Sequence, residues 1–592
     1  MNKMYRTTVS DAVCKIGRMV LSSMKRMLIL LPLMCLTAVW GNAQPKFASK
    51  AGKALFTLNA YDQQGHLLRQ GTGFYVGAEG EAMVDYRVLK GAHKAVAMDA
   101  DGKKAEVECV LGADDAYSVV RIRVQTKGNA SLIPANSILP MKSEIYVLNL
   151  GTGKAPRYAQ ALVADTAMIQ GKYAYYGLDT KVDETWVGAP VFDKAGVLVG
   201  MLHSQIGGRS YVLDVRYGKQ LEIKPIQNGS EALALDNIHL PKALPATQEE
   251  ALVYMYLKAR TASNEEYMDM VNRYIQTYPK SAEGYLRRAA PLIDLKRFDE
   301  ADSDMQQYLT LVEDKANGHY NVASLIFDKL RLQPEPAYEK WNADLVQQHL
   351  EQAQTQLASH SADEHRQADE RKCQVLKAQV LMFQKRYDEA IGLYESLNQA
   401  EGGVPSYLYA ISLAREGRGD SVAALIEPID SAISMMGEPL PREASSYVIR
   451  RGHLKANAGK YREAVLDYNQ YAYLLNGNVN ATFYYERSQV EVNGRMYQQA
   501  LTDIDKAIEL SPREALYQVD KAALTIRVNM LDECIDACRR AIALDSSIVD
   551  SYRILGYALL QKGDKEGARL QLQKAIDMGD QGAQTLMDTY FK

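Results

Sequence analysis

The chain has little of several residue types that would each indicate a particular class of protein. Six cysteines among 592 residues are too few for a disulfide framework. No CxxC pair, HExxH motif or other cluster with metal-ligand spacing occurs, so we expect neither a metal nor a cofactor. The formal net charge of -3 provides no basic surface for nucleic acid, so nucleic-acid binding is not expected.

Long hydrophobic runs are also scarce, and the apolar run at 27–40 stands out. It follows two basic residues, ends in small residues up to Ala43 and is short for a membrane span, as in a cleavable export signal. We therefore expect residues 1–43 to be a bacterial signal peptide, with Met24 as an alternative start. A lipoprotein anchored through Cys35 is disfavoured because that cysteine lies inside the apolar run. The mature chain should be periplasmic or secreted, without an integral membrane span.

The remaining sequence divides into two bodies, as its length predicts. Short β-branched runs separated by glycine and aspartate turns fill residues 46–225, which favours an all-β barrel or sandwich. These runs lie at 54–61, 67–76, 94–98, 105–110, 119–124, 144–150 and 197–203. A proline-containing stretch at 226–247 is expected to be a linker, and residues 248–592 have a helical pattern almost throughout.

Four segments of the first body resemble, in order, the conserved-looking stretches of bacterial trypsin-like (HtrA-type) serine proteases. Residues 71–76 read GTGFYV where that family has a GSGF strand, and residues 84–92 read VDYRVLKGA in place of TNYHVLEGA. Residues 117–124 (YSVVRIRV) resemble DLAVLKV, and residues 187–200 (VGAPVFDKAGVLVG) resemble SGSPVFNKKGEVVG. The resemblance implies a double β-barrel of the trypsin type at 46–225.

The same resemblance places the three catalytic positions at Arg87, Ser118 and Val187. The general base must be an imidazole that takes and returns a proton, whereas the guanidinium of Arg87 stays protonated. The carboxylate that orients the base is replaced by Ser118, and the nucleophile by the hydrocarbon side chain of Val187. The resemblance therefore implies a pseudoprotease without a catalytic site, not an enzyme.

Shifts of register do not restore the chemistry. A slip of one or two residues would place Trp186 or Ala189 at the nucleophile position, and neither is a nucleophile. The glycine whose amide normally helps to form the oxyanion hole is replaced by Thr185. These substitutions agree with a loss of peptidase activity.

Two alternatives remain open for the first body. Its histidines are His66, His93 and His203, and Ser204 follows the last of them, so a serine peptidase with unaligned residues is one alternative. We expect His203 to be a hydrogen-bonded residue within a strand. In the second alternative, Arg87 binds a carboxylate or peptide terminus in the former cleft and acts as a ligand sensor. Otherwise Arg87 is a surface or salt-bridged residue.

The second body contains a repeat. Pairs of small residues twelve positions apart recur with a step of 34 in several places, which suits two helices that pack closely. The pairs are Ala289/Ala301, Ala378/Ala390, Ser412/Ala424, Gly452/Ala464, Ser488/Ala500, Ala522/Cys534 and Gly556/Ala568. This pattern resembles tetratricopeptide repeats, and implies an all-α superhelical solenoid. Two longer helices are expected within 316–366, and residues 581–592 are expected to form a capping helix.

Repeats of this kind imply a concave groove that holds a peptide or a partner protein. Together the two bodies predict an exported, non-catalytic scaffold for protein–protein interaction. In the alternative interpretation of the array, it serves mainly as a spacer or a dimer surface.

Overall fold

The computed structural model describes residues 44–150, 156–206, 208–359 and 364–591. The predicted signal peptide at 1–43, with Met24 and Cys35, lies outside these residues. Within the described part of the chain, no helix is long and apolar enough to cross a membrane. The chain divides into two compact units, Met1–Pro291 and Leu292–Lys592, which are described separately. The predicted fold class is confirmed, since two closed β-barrels are followed by a helical array.

The first barrel is a closed antiparallel sheet with the strand order β1-β2-β3-β6-β5-β4, completed by pairing of β4 with β1. Its strands are β1 (Leu55–Tyr61), β2 (Leu67–Tyr75), β3 (Glu81–Asp85), β4 (Lys94–Met98), β5 (Lys104–Asp114) and β6 (Val119–Val124). In the second half of β6, buried β-branched residues alternate with half-buried arginines, as expected of a strand in a barrel wall. The short helix α2 (Tyr86–Leu89) follows β3, and α1 (Ala48–Gly52) precedes β1.

The second barrel repeats the same order, β7-β8-β9-β12-β11-β10, and is closed by pairing of β10 with β7. Its strands are β7 (Glu144–Asn149), β8 (Arg157–Ile169), β9 (Tyr173–Leu178), β10 (Pro190–Asp193), β11 (Leu198–Ile206) and β12 (Arg209–Asp214). The pair of barrels fits the double barrel that the resemblance implies. Buried residues of both barrels, such as Phe74 and Phe192, belong to one apolar cluster.

Residues 226–247, expected to be a linker, are packed against the first barrel. They contain helix α4 (Gly229–Asp236), which follows α3 (Val215–Gln220). Backbone hydrogen bonds join Gly91 N to Asn237 O (2.7 Å) and Ala243 N to Val110 O (2.8 Å). Buried side chains of this stretch extend the barrel core, so it is structured along much of its length. Helices α5 (Gln248–Lys258), α6 (Asn264–Thr277) and α7 (Ala282–Asp294) follow, and the division between the units falls within α7.

The second unit is helical throughout its regular elements. Its helices are α8 (Phe298–Leu311), α9 (Lys315–Leu332), α10 (Ala343–Leu357), α11 (Glu364–Phe383), α12 (Tyr387–Ala400), α13 (Pro405–Arg418), α14 (Val422–Ser434), α15 (Ser445–Asn457), α16 (Tyr461–Leu474), α17 (Ala481–Asn493), α18 (Tyr497–Leu510), α19 (Ala515–Arg527), α20 (Leu531–Leu544), α21 (Val549–Lys562), α22 (Lys565–Asp577) and α23 (Gln581–Tyr590). Polar side chains begin several of them, and left-handed glycines end α13 and α21. Ala289 lies in α7, and the other predicted small residues lie in these helices; Ala464, Ala500 and Ala568, for example, have no exposed surface.

Candidate functional site

A buried aspartate organises the segment that carries Arg87. Asp85 ends β3, exposes 2 % of its surface and is the N-cap of α2. Its carboxylate accepts a hydrogen bond of 2.8 Å from the backbone N–H of Arg87. An aspartate is suited to this position because its short side chain satisfies an amide at the helix start that would otherwise be unpaired.

Arg87 folds back on the same carboxylate. Its Nε donates to Asp85 Oδ1 at 2.9 Å and its Nη2 donates to Asp85 Oδ2 at 2.8 Å, which is a bidentate ion pair. The hydrogen bonds that Arg87 donates to the Asp85 carboxylate raise the pKa of Arg87 above its ordinary value. Nη2 also approaches the carbonyl oxygen of His203 in the second barrel at 3.4 Å. The Arg87 side chain remains 58 % exposed, so one edge of the guanidinium still faces solvent.

Ser118 contacts Asp85 from the other side. Its hydroxyl donates to Asp85 Oδ1 at 3.1 Å, and its carbonyl accepts from the backbone N–H of Tyr86 at 3.1 Å. Ser118 has a φ of 45° and is 9 % exposed. Arg87 and Ser118 are thus joined through Asp85, and the serine hydroxyl is buried against a carboxylate.

The segment around Val187 lies against the same aspartate. Gly188 has a φ of 91°, and a Cβ at this position would lie 3.4 Å from Cβ of Asp85 and 3.3 Å from the carbonyl oxygen of Thr72. The close approach and the left-handed backbone both favour glycine here. The structure therefore brings the segments of all three triad-like positions to one place between the barrels.

The amides that could form an oxyanion hole at this place donate within their own turn. Residues Glu184–Trp186 form a 3₁₀ turn with Asp183 as its N-cap. The N–H of Thr185 donates to Asp183 Oδ1 at 3.0 Å, and the N–H of Val187 donates to the carbonyl of Glu184 at 3.2 Å. An oxyanion hole requires amides that are free to point at the developing charge, and these two already have acceptors.

His203 is a strand residue with a defined partner, as the sequence predicted. It lies in β11, and its Nδ1 is 2.6 Å from the hydroxyl of Tyr175 in β9. The Tyr175 hydroxyl is also 3.1 Å from Oγ of Ser204, and its ring stacks on Tyr211. Burial lowers the pKa of His203 below its ordinary value; nearby Asp85 opposes this shift. The imidazole is therefore neutral at physiological pH and is linked to a serine through a phenol.

Asp85 and Tyr175 are the members of the site that the sequence reasoning did not single out. Asp85 had a recognisable signal, since an aspartate directly after a β-branched run and before a helical turn is a typical N-cap. Tyr175 had no comparable signal, because its partners lie on other strands.

Comparisons with known proteins give limited similarity. No family model matches the chain. A curated relative, the anti-sigma-I factor RsgI9 of Acetivibrio thermocellus, is 24% identical over 152 residues, which is 25% of this chain. The chain covers 21% of that relative's length. The crystal structure of the serine endoprotease from Yersinia pestis aligns with 30% of this chain and 65% of that chain, at 13% identity and a TM-score of 0.27. That score is too low to support an argument about this chain.

Proposed function

We propose that this protein is an exported, non-catalytic scaffold for protein–protein interaction. It combines a trypsin-like pseudoprotease body with an array of tetratricopeptide repeats. The repeat groove holds a peptide or a partner protein, and the signal peptide directs the chain to the periplasm or the medium. The curated relative is named as an anti-sigma factor, which describes action on another protein and agrees with a binding role.

The observation that carries the non-catalytic part of the proposal is the hydrogen bonding of Asp85. A working triad keeps its carboxylate for an imidazole and its serine open to substrate. Here the position that resembles the imidazole is Arg87, whose guanidinium is ion-paired with Asp85. The position that resembles the triad carboxylate is Ser118, whose hydroxyl is buried against the same Asp85, and the nucleophile position is the hydrocarbon Val187. The amides of Thr185 and Val187 also have acceptors within their own turn, so neither of these two groups is free to stabilise an oxyanion.

Reaction with a fluorophosphonate probe tests this part. The mature full-length protein should remain unlabelled under conditions in which an active serine protease is labelled completely. Stoichiometric labelling of any serine within 46–225 would contradict the proposal.

The hydrogen-bonded side chains of Ser204, Tyr175 and His203 favour a second candidate function, a serine peptidase with unaligned residues. Its weakness is that Ser204 contacts a phenol and not the imidazole. The same probe separates the two candidates, because labelling that disappears in Ser204→Ala and persists in Ser118→Ala would establish the second one.

Site-specific photo-crosslinking in the full-length protein tests the binding part. A photoreactive residue in place of His453, which is 48 % exposed on a first helix of a repeat, reports on the side that should line the groove. The matched control is Leu466, which is 68 % exposed on the following helix. A discrete adduct at 453 and not at 466 is expected. Background signal at both positions would favour the spacer interpretation.

Cell fractionation and N-terminal sequencing test the export of the protein. Fractionation should recover the protein outside the cytoplasm, and N-terminal sequencing of the recovered chain should begin at Gln44. Recovery of the intact precursor in the cytoplasm would refute export.

A further inference from the structure

A cleft of about 680 Å³ lies in the first unit, away from Asp85 and Arg87. One wall is the stretch from Pro225 to Lys242 that packs on the first barrel, and the other is formed by α5 and α6. The volume is in the range that holds a small organic molecule.

The floor of this cleft is apolar. Leu235, Ile238, Leu240 and Tyr254 are buried lining residues, and Met270 adds a half-buried thioether. A ligand that fills the cleft must therefore bring an apolar body to replace water on this surface.

Two lysines enter the cleft above the floor. The backbone of Lys242 is held in place on both sides, because Val110 N donates to Pro241 O and Ala243 N donates to Val110 O, both at 2.8 Å. Its ammonium group donates to the carbonyl of Ile238. Lys258, from α5, has its Nζ 5.8 Å from the ring centre of Tyr254. Neither lysine forms an ion pair among the residues that the structure describes.

Burial and a second lysine both act on Lys242. Burial, followed by the nearby charge of Lys258, lowers the pKa of Lys242 to about 8, while Glu266 and Asp236 oppose this shift. Both acids are exposed on the rim, where water screens them. Glu266 is also committed to the capping box of α6, in which it accepts from Ser263 N at 3.1 Å.

The remaining charged or titratable groups at the cleft do not neutralise the two lysines. Asp269 is paired with Arg273 at 2.9 Å. The ring of His239 packs against that of His93 at an angle of 31°, with ring centres 4.4 Å apart, and burial lowers the pKa of His239. A neutral imidazole does not offset the positive charge of the two lysines, so the opposing charge comes from the exposed Glu266 and Asp236.

We propose that this cleft binds a small ligand that combines a carboxylate with an apolar body. The carboxylate accepts from the ammonium groups of Lys242 and Lys258, and the apolar body covers Tyr254 and the buried leucines and isoleucine. Such a ligand is either a free medium-chain acid or the C-terminal residue of an apolar-ended peptide. Both share the chemistry that the cleft recognises.

Binding of a carboxylate should be coupled to protonation of the Lys242 amine. A bound carboxylate stabilises the charged amine and raises its pKa, so binding near pH 8 takes up a proton. Affinity is therefore highest below pH 8. It falls as the pH rises above 8, by up to about tenfold per pH unit until the pKa of the complex is reached.

Calorimetric titration of the mature full-length protein tests the proposal. Octanoate represents the free acid and N-acetyl-leucine represents a peptide terminus, with octanamide and N-acetyl-leucinamide as neutral controls. At least one acid should bind, its amide should bind about tenfold or more weakly, and proton uptake should appear near pH 8. Whichever acid binds identifies the source of the carboxylate.

Lysine substitutions locate the site. Lys242→Met and Lys258→Met should each weaken binding of the acid about tenfold. Lys172→Met is the matched control, because Lys172 also lies over a tyrosine ring, at 5.2 Å from the ring centre of Tyr173, but outside the cleft. Circular dichroism of each variant verifies folding. Equal binding of acid and amide, absence of binding by both acids, or unchanged affinity in Lys258→Met would overturn the proposal.

Discussion

Each of the two units contains an ion pair between an aspartate and an arginine, but the two pairs differ in sequence separation and burial. In the first unit, Asp85 and Arg87 are two residues apart, and the arginine side chain is 58 % exposed while the aspartate is 3 % exposed. In the second unit, Asp503 of α18 pairs with Arg487 of α17, sixteen residues earlier, and their side chains are 7 % and 15 % exposed. The first pair belongs to a turn, and the second joins two helices.

The difference shows what each pair stabilises. The local pair needs only the turn at the end of β3, so it fixes a backbone corner and leaves part of the guanidinium in water. The long-range pair exists only when α17 and α18 are packed, and it recurs 36 residues earlier as Arg451 with Asp467. Of these two pairs, the one in the barrels fixes local geometry and the one in the array joins packed helices.

The largest effect is expected for Asp503→Ala. Removal of this carboxylate leaves Arg487 buried without its partner, and loss of one member of a buried pair costs about 3–5 kcal/mol. Chemical denaturation of the variant should show a loss of this size in the free energy of unfolding of the array.

Asp505→Ala is the matched control on the same helix. Asp505 is 55 % exposed and pairs with Lys521, so its removal should cost less than about 1 kcal/mol. Equal losses in the two variants would mean that burial does not distinguish the pairs.

Parts of the fold and of the candidate site could be predicted from the sequence. Strands β4 and β6 matched the predicted runs residue for residue, because both are short runs between turn residues. In β6 the β-branched residues alternate with arginines, whereas β4 has a valine between two alanines. Strand β8 was not predicted, since its sequence RYAQALVADTAMI is rich in alanine, which has low β-propensity. The positions of Arg87 and Ser118 followed from a resemblance, whereas their common partner Asp85 depends on contacts between separate strands. Arg487 with Asp503 follows the repeat, but only the structure shows that the pair is buried.

The second prediction concerns an irregularity in the repeating pair. Glu491 of α17 is 3 % exposed and lies near Asp503, and its Oε2 has no hydrogen-bond partner among the described residues. Thirty-six residues earlier the same position is Lys455, which pairs with Asp467 at 2.9 Å. Burial, followed by the charge of Asp503, raises the pKa of Glu491 to about 8.

The sign of the pH effect follows from that raised pKa. Between about pH 4.5 and pH 8 the unfolded chain has released this proton while the folded chain retains it, so stability falls as the pH rises. Glu491→Gln removes this dependence and should be more stable than the wild type at pH 8 by up to about 4 kcal/mol, with little difference near pH 4.5. Thermal unfolding across this range measures the gain.

Glu491→Lys sharpens the test, because it recreates the arrangement of Lys455 and should also stabilise the array at pH 8. If both variants follow the pH profile of the wild type, Glu491 is ionised in the folded protein and the prediction is wrong.

The third prediction returns to the barrels. Asp85→Ala removes the N-cap of α2 and the acceptor for both Arg87 and Ser118, at an expected cost of about 1–3 kcal/mol in the free energy of unfolding. The matched control is Asp99→Ala. Asp99 also accepts two backbone amides, at 3.0 and 2.9 Å, but in an exposed hairpin turn, so its loss should cost less. If Asp85→Ala lowers the free energy of unfolding less than Asp99→Ala does, Asp85 does not organise the site.

The smallest effect is expected for Arg87→Met. The guanidinium is more than half exposed, so water screens its ion pair. The buried carboxylate of Asp85 keeps the hydrogen bonds from the backbone N–H of residue 87 and from the Ser118 hydroxyl, so the substitution should cost no more than about 1 kcal/mol. Arg216 forms the same two-residue arrangement with Asp214 at the end of β12, but its side chain is 25 % exposed. Arg216→Met should therefore be the more destabilising of the two substitutions in parallel urea denaturations. A larger loss for Arg87→Met would show that the exposed arginine is held by more than Asp85 and that the cleft between the barrels depends on it.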